Sequence, residues 1–156
     1  MGLRLVDQLM RRNVMLPEGE FDLTIGRSSK CDITVPVFGE DEDEVKLPGI
    51  FVHQIRALRK LISSKHARLL RRDGSCYVVD CGSRNGTVVL RRDGSSYEVG
   101  EQPFELGNLD SISLAGRDRY PLFYIDDCAG VPIEDVRRYE KLLNVEQIGL
   151  DLRGRK

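Results

Sequence analysis

Two segments of the chain are near-copies of each other, and each carries the same turn signal. Residues Leu69–Val79 read LLRRDGSCYVV and Val89–Val99 read VLRRDGSSYEV, with Asp-Gly pairs at 73–74 and 93–94. A type I′ turn needs a positive φ at both central positions, which Asp and Gly tolerate, so each pair predicts a β-hairpin. A repeat seen only twice is too little for a solenoid. The sequence therefore predicts two hairpins within one antiparallel assembly.

Other short segments with strand character are separated by turn signals. These segments are Phe21–Ile25, Cys31–Val35, Tyr77–Asp80, Thr87–Arg91, Ser111–Leu114 and Leu122–Ile125. The 15 glycines and six prolines exceed what a helical bundle would use. A chain of 156 residues suits one domain, or one domain with an appendage. The expected fold is all-β, a β-sandwich.

Two stretches interrupt this β pattern. Within residues 36–60, an acidic run at 40–44 predicts a solvated surface loop, and apolar residues at 51, 55, 58 and 62 predict a short amphipathic helix. Near the C-terminus, Pro132 and an apolar stripe at 136, 139, 142 and 143 predict a helix. That helix would pack on its own domain, or dock a partner or a second copy. We therefore expect a domain over 1–130 and a helical extension over 131–156 with a frayed basic tail.

Charge and cysteine content exclude several classes of function. The chain has 24 Lys and Arg against 25 Asp and Glu, which argues against a general nucleic-acid or membrane-surface binder. The cysteines at 31, 76, 81 and 128 have no CxxC spacing, and only two histidines accompany them. We therefore expect no metal site, no cofactor and no disulfide framework. Without a signal-like start or a long apolar run, an intracellular protein with reduced thiols is expected.

One part of the chain departs from this charge balance. Residues 45–72 hold eight Lys or Arg and no Asp or Glu, which indicates an anion-facing surface. The same asymmetry would also arise if these residues only balanced the acidic run before them. Charge alone does not separate the two interpretations.

Four small motifs follow one another at the ends of the predicted strands. They are Gly26-Arg27, the run Ser63-Ser64-Lys65-His66, the loop Asp80-Cys81-Gly82-Ser83-Arg84-Asn85-Gly86-Thr87, and Leu106-Gly107-Asn108 with Asp110. In order and chemistry they resemble the forkhead-associated (FHA) domain, whose pattern is GR, SxxH, DxxSxNGT and then a turn of the LxxGD type. The resemblance covers roughly residues 4–125.

The resemblance implies a β-sandwich of about eleven strands that binds phosphothreonine peptides through loops at one end. Arg27 would bond the phosphate oxygens, and the Ser63 hydroxyl would donate to the phosphate. Ser64 and Arg84 would add contacts to the phosphate or the peptide backbone. Asn85 would hold the peptide main chain beside the phosphothreonine.

Other motif residues would support the binding loops. His66 would brace them from behind without touching the ligand, and Gly86 would allow a tight turn. The full set of expected supporting residues is Gly26, His66, Ser83, Gly86 and Thr87. Leu61 lies where family members select the third residue after the phosphothreonine, and its side chain favours an apolar one.

The main departure from the family pattern is an insertion. Between Cys31 and Ser63 lie 31 residues, where the family usually has a short loop. Because it emerges beside the expected peptide site, this insertion would lengthen the binding surface, supply a second interface or cover the site. Its acidic run could occupy the anion site as a pseudo-ligand, although carboxylates imitate a phosphate poorly.

Three other functions compete with this interpretation. A catalytic triad of Ser63 or Ser64, His66 and Asp80 is disfavoured, because residues three apart on a strand face opposite sides and no GxSxG or Walker motif is present. A constitutive scaffold or homo-oligomer could use the insertion or the C-terminal helix. Nucleic-acid binding would rest on the basic stretch alone. The sequence favours a non-enzymatic reader that recruits a phosphothreonine-containing protein in kinase-dependent signalling, nuclear rather than cytoplasmic.

Overall fold

The computed structural model describes residues 2–36, 49–117, 119–126 and 146–148, with the backbone alone for 49–53 and 146–148. The predicted acidic loop at 40–44, the stripe at 136–143 and the tail at 153–156 lie outside the described residues. Twelve strands and one helix are described. In chain order these are β1 Leu3–Asp7, β2 Arg12–Met15, β3 Phe21–Gly26, β4 Ile33–Thr34, α1 Gly49–Leu61, β5 Ala67–Arg72, β6 Ser75–Asp80, β7 Thr87–Leu90, β8 Ser96–Val99, β9 Phe104–Glu105, β10 Ser111–Leu114, β11 Tyr120–Asp126 and β12 Glu146–Ile148.

The strands form two sheets, which confirms the predicted β-sandwich. The larger sheet has the order β12-β2-β1-β11-β10-β7-β8, and the smaller one has the order β4-β3-β5-β6-β9. Pairing is antiparallel except between β12 and β2 and between β3 and β4. The apolar core lies between the sheets and includes fully buried side chains such as Ile25, Leu69, Val78 and Ile112.

The two Asp-Gly hairpins are both present, but their turns differ. Asp73 and Gly74 have φ values of 52° and 80°, as the predicted type I′ turn requires. In the second copy only Gly94 of the pair has a positive φ, 90°. The Gly94 N–H donates to Arg91 O, and the Arg91 N–H donates to Ser95 O, which closes a longer loop. The prediction of a type I′ turn at 93–94 was therefore wrong.

The insertion contains the predicted helix. Ile55 and Ile62 are each 1% exposed, and Leu58 packs against the core, so the apolar spacing read from the sequence marks the buried face. The predicted strand at Cys31–Val35 was too long, because the strand is Ile33–Thr34, followed by one further hydrogen bond from the Val35 N–H to Gly26 O at 2.9 Å. Pro36, which has no N–H to donate, follows directly.

Strands β1, β2, β9 and β12 were not predicted. Strand β12 lies within the stretch that the sequence assigned to a helical extension, and it pairs in parallel with β2. No helix in the described ranges is both long and apolar enough to span a membrane.

Candidate functional site

A cavity opens where α1 ends and β5 begins, beside the ends of β3 and β6. It encloses about 330 Å³. Its wall is formed by Arg27, Lys60, Leu61, Ile62, Ser63, Ser64, Gly82 and Arg84. Four of the five residues predicted to bind the ligand therefore come together here, from three separate parts of the chain. The predicted specificity residue Leu61 lies in the same wall.

Backbone pairing fixes the positions of the first two motifs. The Arg27 N–H donates to Ser63 O at 3.1 Å, and the Ser28 N–H donates to Ser64 O at 3.1 Å. Residues 63–66 therefore run directly beside the end of β3. At Gly26 the two backbones approach so closely that a Cβ would overlap Ser64 O and lie 2.8 Å from Ser64 C. Only glycine fits there, which is the physical reason for the Gly26-Arg27 pair.

His66 joins this segment to the loop after β6. The ring is fully buried, Nδ1 accepts the Ser63 N–H at 3.0 Å, and Nε2 lies 2.8 Å from Gly86 O. Because Nδ1 accepts, the proton of the neutral ring is on Nε2, which donates to the carbonyl. Burial lowers the pKa of His66, although the bond to Gly86 and the charge of Asp80 oppose this. His66 is thus a neutral brace away from the cavity wall.

Asp80 organises the loop that carries Arg84 and Asn85. Its Oδ1 accepts the hydroxyls of Ser83 at 2.6 Å and Thr87 at 2.7 Å, and its Oδ2 accepts the Ser83 N–H at 3.0 Å. Burial alone would raise the pKa of Asp80, but these hydrogen bonds outweigh it and the pKa is lowered. The carboxylate therefore stays charged at neutral pH, and it holds both ends of the loop.

The tip of this loop is a tight turn. Ser83 Oγ accepts the Gly86 N–H at 3.0 Å, and Gly86 has a φ of 84°. A residue with a Cβ would be strained at that φ. Ser83, Gly86 and Thr87 thus make the contacts that shape the loop.

The polar groups of the cavity are arranged for an anionic ligand. Ser63 Oγ accepts the Arg84 N–H at 3.1 Å, which orients its own O–H to donate elsewhere. Arg27 Nη2 lies 3.4 Å from Ser64 Oγ, so the guanidinium and the two hydroxyls share one region. A planar guanidinium with short hydroxyl donors suits a group with several acceptor oxygens.

Asn85 makes a contact that sequence reasoning missed. Its Nδ2 donates to Leu61 O at 2.8 Å, so it ties the loop to the last residue of α1. The expected contact between Asn85 and a peptide main chain stays a prediction. Lys60 in the cavity wall was also missed as a site residue, although the basic stretch at 45–72 included it.

The geometry does not favour the catalytic interpretation. Ser63 contacts His66 through its backbone N–H, while its hydroxyl oxygen accepts the Arg84 N–H. Ser63 and His66 therefore do not form a nucleophile and base pair of the kind that a triad requires. In the part of the chain that the structure describes, no three His, Cys, Asp or Glu side chains are placed to hold a metal ion.

Solved structures of FHA domains have a fold similar to that of this chain. The fold is similar to that of an FHA domain studied for phosphothreonine-dependent interactions, with 18% identity, a TM-score of 0.54 and coverage of 83% of this chain and 100% of the other. The FHA domain of an Arabidopsis thaliana hypothetical protein is 19% identical, with a TM-score of 0.56 and coverage of 84% of this chain and 90% of the other. The FHA domain of human APLF, in complex with an XRCC1 bisphospho peptide, is 20% identical, with a TM-score of 0.53 and coverage of 81% of this chain and 99% of the other.

At the level of sequence, no curated protein matches the chain. The family model of the FHA domain matches residues 23–115, which is more than half of the chain and includes all four motifs in full. The chain belongs to the FHA domain family.

Proposed function

We propose that this domain binds phosphothreonine-containing peptides in the cavity between Arg27, Ser63, Ser64 and Arg84. The observation that carries the proposal is the Ser63 hydroxyl, whose oxygen accepts the Arg84 N–H at 3.1 Å while Arg27 lies beside it. A phosphorylated side chain brings about −1.5 to −2 charges and three strong acceptor oxygens, which these donors match. FHA domains of this fold are described in phosphothreonine-dependent interactions and with a bisphospho peptide.

The energetics predict a reversible interaction. Hydrogen bonds to charged groups contribute about 1.5–3 kcal/mol each, so three of them supply about 5–9 kcal/mol before the cost of ordering the peptide. Peptide contacts bring the total near −8 kcal/mol, which corresponds to a Kd of about 1 μM. Such an affinity suits recruitment that starts with phosphorylation and ends with dephosphorylation.

The proposed role is non-enzymatic recruitment inside the cell, with the nucleus as the compartment. Leu61 in the cavity wall supports selection of an apolar residue three positions after the phosphothreonine. A constitutive scaffold is the alternative, and it predicts self-association or partner binding that does not depend on phosphate.

Fluorescence anisotropy with three degenerate peptide pools tests the proposal. The pools contain a fixed phosphothreonine, a fixed phosphoserine or an unmodified threonine. We expect micromolar binding of the phosphothreonine pool and a loss of at least tenfold in Arg27→Ala, since a charged hydrogen-bond donor is removed. Arg72→Gln, which removes one positive charge at the other end of β5, is the matched control and should bind normally. Equal binding of all three pools, or none, would reject the proposal.

A further inference from the structure

Strand β8 forms one edge of the larger sheet. In the described part of the chain it pairs only with β7, which lies on one side of it. Ser96, Tyr97 and Glu98 in this strand are all exposed. An edge of this kind is a template for pairing with a further strand. The described wall of the cavity includes none of these three residues, so the edge is a separate surface.

The hydrogen bonds to β7 determine which backbone groups of β8 point outward. The Arg91 N–H donates to Ser95 O at 2.8 Å, and this pair continues the register between β7 and β8 by one step. Bonded and non-bonded pairs alternate along an antiparallel ladder. Tyr97, two residues after Ser95, therefore bonds to β7. The N–H and C=O groups of Ser96 and Glu98 point away from β7, towards the outer side of the sheet.

The other side of β7 has the alternation that this assignment requires. The Ala115 N–H donates to Gly86 O at 3.0 Å, which continues the register between β7 and β10 by one step. Alternate residues from Gly86 onward therefore bond to β10, and Val88 is one of them. Val88 is the residue opposite Glu98. Because the backbone groups of Val88 bond to β10, those of Glu98 have no partner in β7.

The outward groups of β8 are complementary to themselves. Ser96 and Glu98 each present one donor and one acceptor, and they lie symmetrically about Tyr97. A twofold axis at Tyr97 would place Ser96 of one copy opposite Glu98 of the other, with two hydrogen bonds in each of the two pairs. The two Tyr97 side chains would be directly opposite each other on one face, a position where aromatic pairs stabilise a sheet.

The Tyr97 side chain is held in place at this edge. It is the one large apolar side chain that is exposed in the described part of the chain, at 44%. Its ring centre lies 5.3 Å from that of Phe104, and the Arg91 guanidinium lies 5.5 Å from it. Because these neighbours restrict the ring, its contact with another chain costs less side-chain entropy.

The charges beside β8 favour a second copy as the partner. Arg92 precedes the strand and Glu101 follows it, and both are exposed. Antiparallel pairing of two copies brings these opposite ends together, so Arg92 of each copy would lie near Glu101 of the other. Asp93 is at the same end as Arg92, but its carboxylate already accepts the N–H and the hydroxyl of Ser95.

We propose that two copies of this chain associate by antiparallel pairing of their β8 strands, with Tyr97 at the twofold axis. This association is independent of the proposed phosphopeptide site and needs no phosphate. It joins the larger sheets of the two copies into one continuous sheet. A dimer would carry two peptide sites, which raises the apparent affinity for a partner that is phosphorylated at two positions.

Sedimentation equilibrium of the full chain between about 5 and 500 μM tests the proposal. We expect a reversible monomer–dimer equilibrium with a Kd on the order of 100 μM, because four backbone hydrogen bonds and one aromatic pair make a small interface. Urea unfolding of each variant confirms that the domain is folded.

A proline at the first residue of β8 assigns the contact to this edge. Ser96→Pro removes an outward N–H and leaves the bonds to β7, and proline is tolerated at the start of an edge strand. We expect it to raise the Kd at least tenfold, since it removes one donor in each of the two pairs. Ser96→Ala keeps the N–H and is the matched control, which should dimerise as the wild-type protein does.

An exchange of charges tests the orientation of the two strands. Arg92→Glu and Glu101→Arg should each weaken the dimer about threefold, and the double variant should recover most of the wild-type affinity, because exposed ion pairs of this kind are weak. An additive loss in the double variant would contradict the antiparallel arrangement.

Two further outcomes would overturn the inference. A protein that stays monomeric up to 500 μM rejects pairing with a second copy. An equally strong dimer in Ser96→Pro shows that the copies meet at another surface. Phosphothreonine peptide binding, measured by anisotropy at protein concentrations well below the Kd of the dimer, tests the proposed function separately from either result.

Discussion

At the scale of single residues, the site depends on how closely two backbones approach at Gly26. The Ser63 and Ser64 carbonyls accept hydrogen bonds from residues 27 and 28, and a Cβ on residue 26 would overlap one of them. The same contact positions Arg27 beside the two serines. Folding and ligand binding therefore share one steric requirement.

Gly26→Ala should lower the free energy of unfolding by about 1–3 kcal/mol, the usual cost of overpacking. It should also weaken phosphopeptide binding, because the Ser64 backbone must move. Gly100→Ala is the matched control, since a Cβ there meets no atom within 4 Å. Urea unfolding and peptide anisotropy measure both effects. Equal stability of the two variants would contradict the steric argument.

His66 makes the free energy of unfolding of the domain depend on pH. Its pKa is lowered in the folded state, mainly by burial, from an ordinary value of 6.5. The unfolded chain therefore binds a proton more readily than the folded one as the pH falls below about 6.5. The contribution of His66 to stability is therefore fully present above about pH 6.5 and decreases as the pH falls below it.

Between pH 7.5 and 5.5 we expect the wild-type protein to lose stability through this residue, because the unfolded chain takes up a proton that the buried ring does not. His66→Gln keeps a neutral donor and acceptor but has no ionisable ring, so its loss over the same interval should be smaller. Denaturant titrations at the two pH values provide the comparison. The comparison between the two proteins cancels the contribution of Asp110, whose pKa is raised mainly by burial. Identical pH dependence in both proteins would mean that His66 is not the titrating group.

At the scale of elements, the same five residues form two different turns. The sequence Arg-Arg-Asp-Gly-Ser occurs at 71–75 and at 91–95, yet only the first is a type I′ turn. In the second copy, the Arg91 guanidinium donates to Asp110 Oδ2 and Glu105 O and stacks on the Phe104 ring. Strand β7 ends one residue before Arg91. The second turn thus occurs together with contacts between Arg91 and residues that are distant from it in sequence.

Helix α1 connects stability to the binding site. Ile55→Ala should lower the free energy of unfolding by about 2–4 kcal/mol, because it leaves a cavity under the helix. Phosphopeptide affinity should fall as well, since Lys60 and Leu61 depend on the position of the helix. Gln54→Ala, at an exposed neighbouring residue, should change stability by less than about 0.5 kcal/mol. Unchanged affinity in a folded Ile55→Ala protein would show that the helix does not shape the site.

At the scale of the whole molecule, the larger sheet ends in a strand from the C-terminal part of the chain. Strand β12 pairs with β2 through residues 146–148 in parallel register. Without it, β2 would be an edge strand with unpaired backbone groups, which favours association with other chains. The C-terminal part therefore completes the sheet on the side away from β8.

Removal of residues 146–156 should lower the free energy of unfolding by about 1–3 kcal/mol, from the loss of a short hydrogen-bonded ladder. It should also increase self-association, as measured by sedimentation velocity. Removal of 149–156 alone keeps β12 and is the matched control. If both truncations behave as the full chain does, β12 contributes nothing to the sheet.

Local sequence determined several features of this protein. The Asp73-Gly74 turn follows from backbone conformations that few residues tolerate, and the spacing of Ile55, Leu58 and Ile62 follows from the helical repeat. The four ordered motifs predicted the family, which the match over 23–115 shows. Each of these depends on interactions within a few residues, or on a pattern of residue types along the chain.

The tertiary structure decided the rest. The decisive contacts join residues that are distant in sequence: Arg91 with Glu105 and Asp110 beside the second hairpin turn, Asn85 with Leu61, Lys60 with the rest of the cavity wall, and β12 with β2. Local propensity carries no information on which distant atoms meet, because strand pairing and burial set those contacts. The sequence by itself determined the first hairpin turn, the helix and the family, and only the packed sandwich decided which cations and hydroxyls share the anion site.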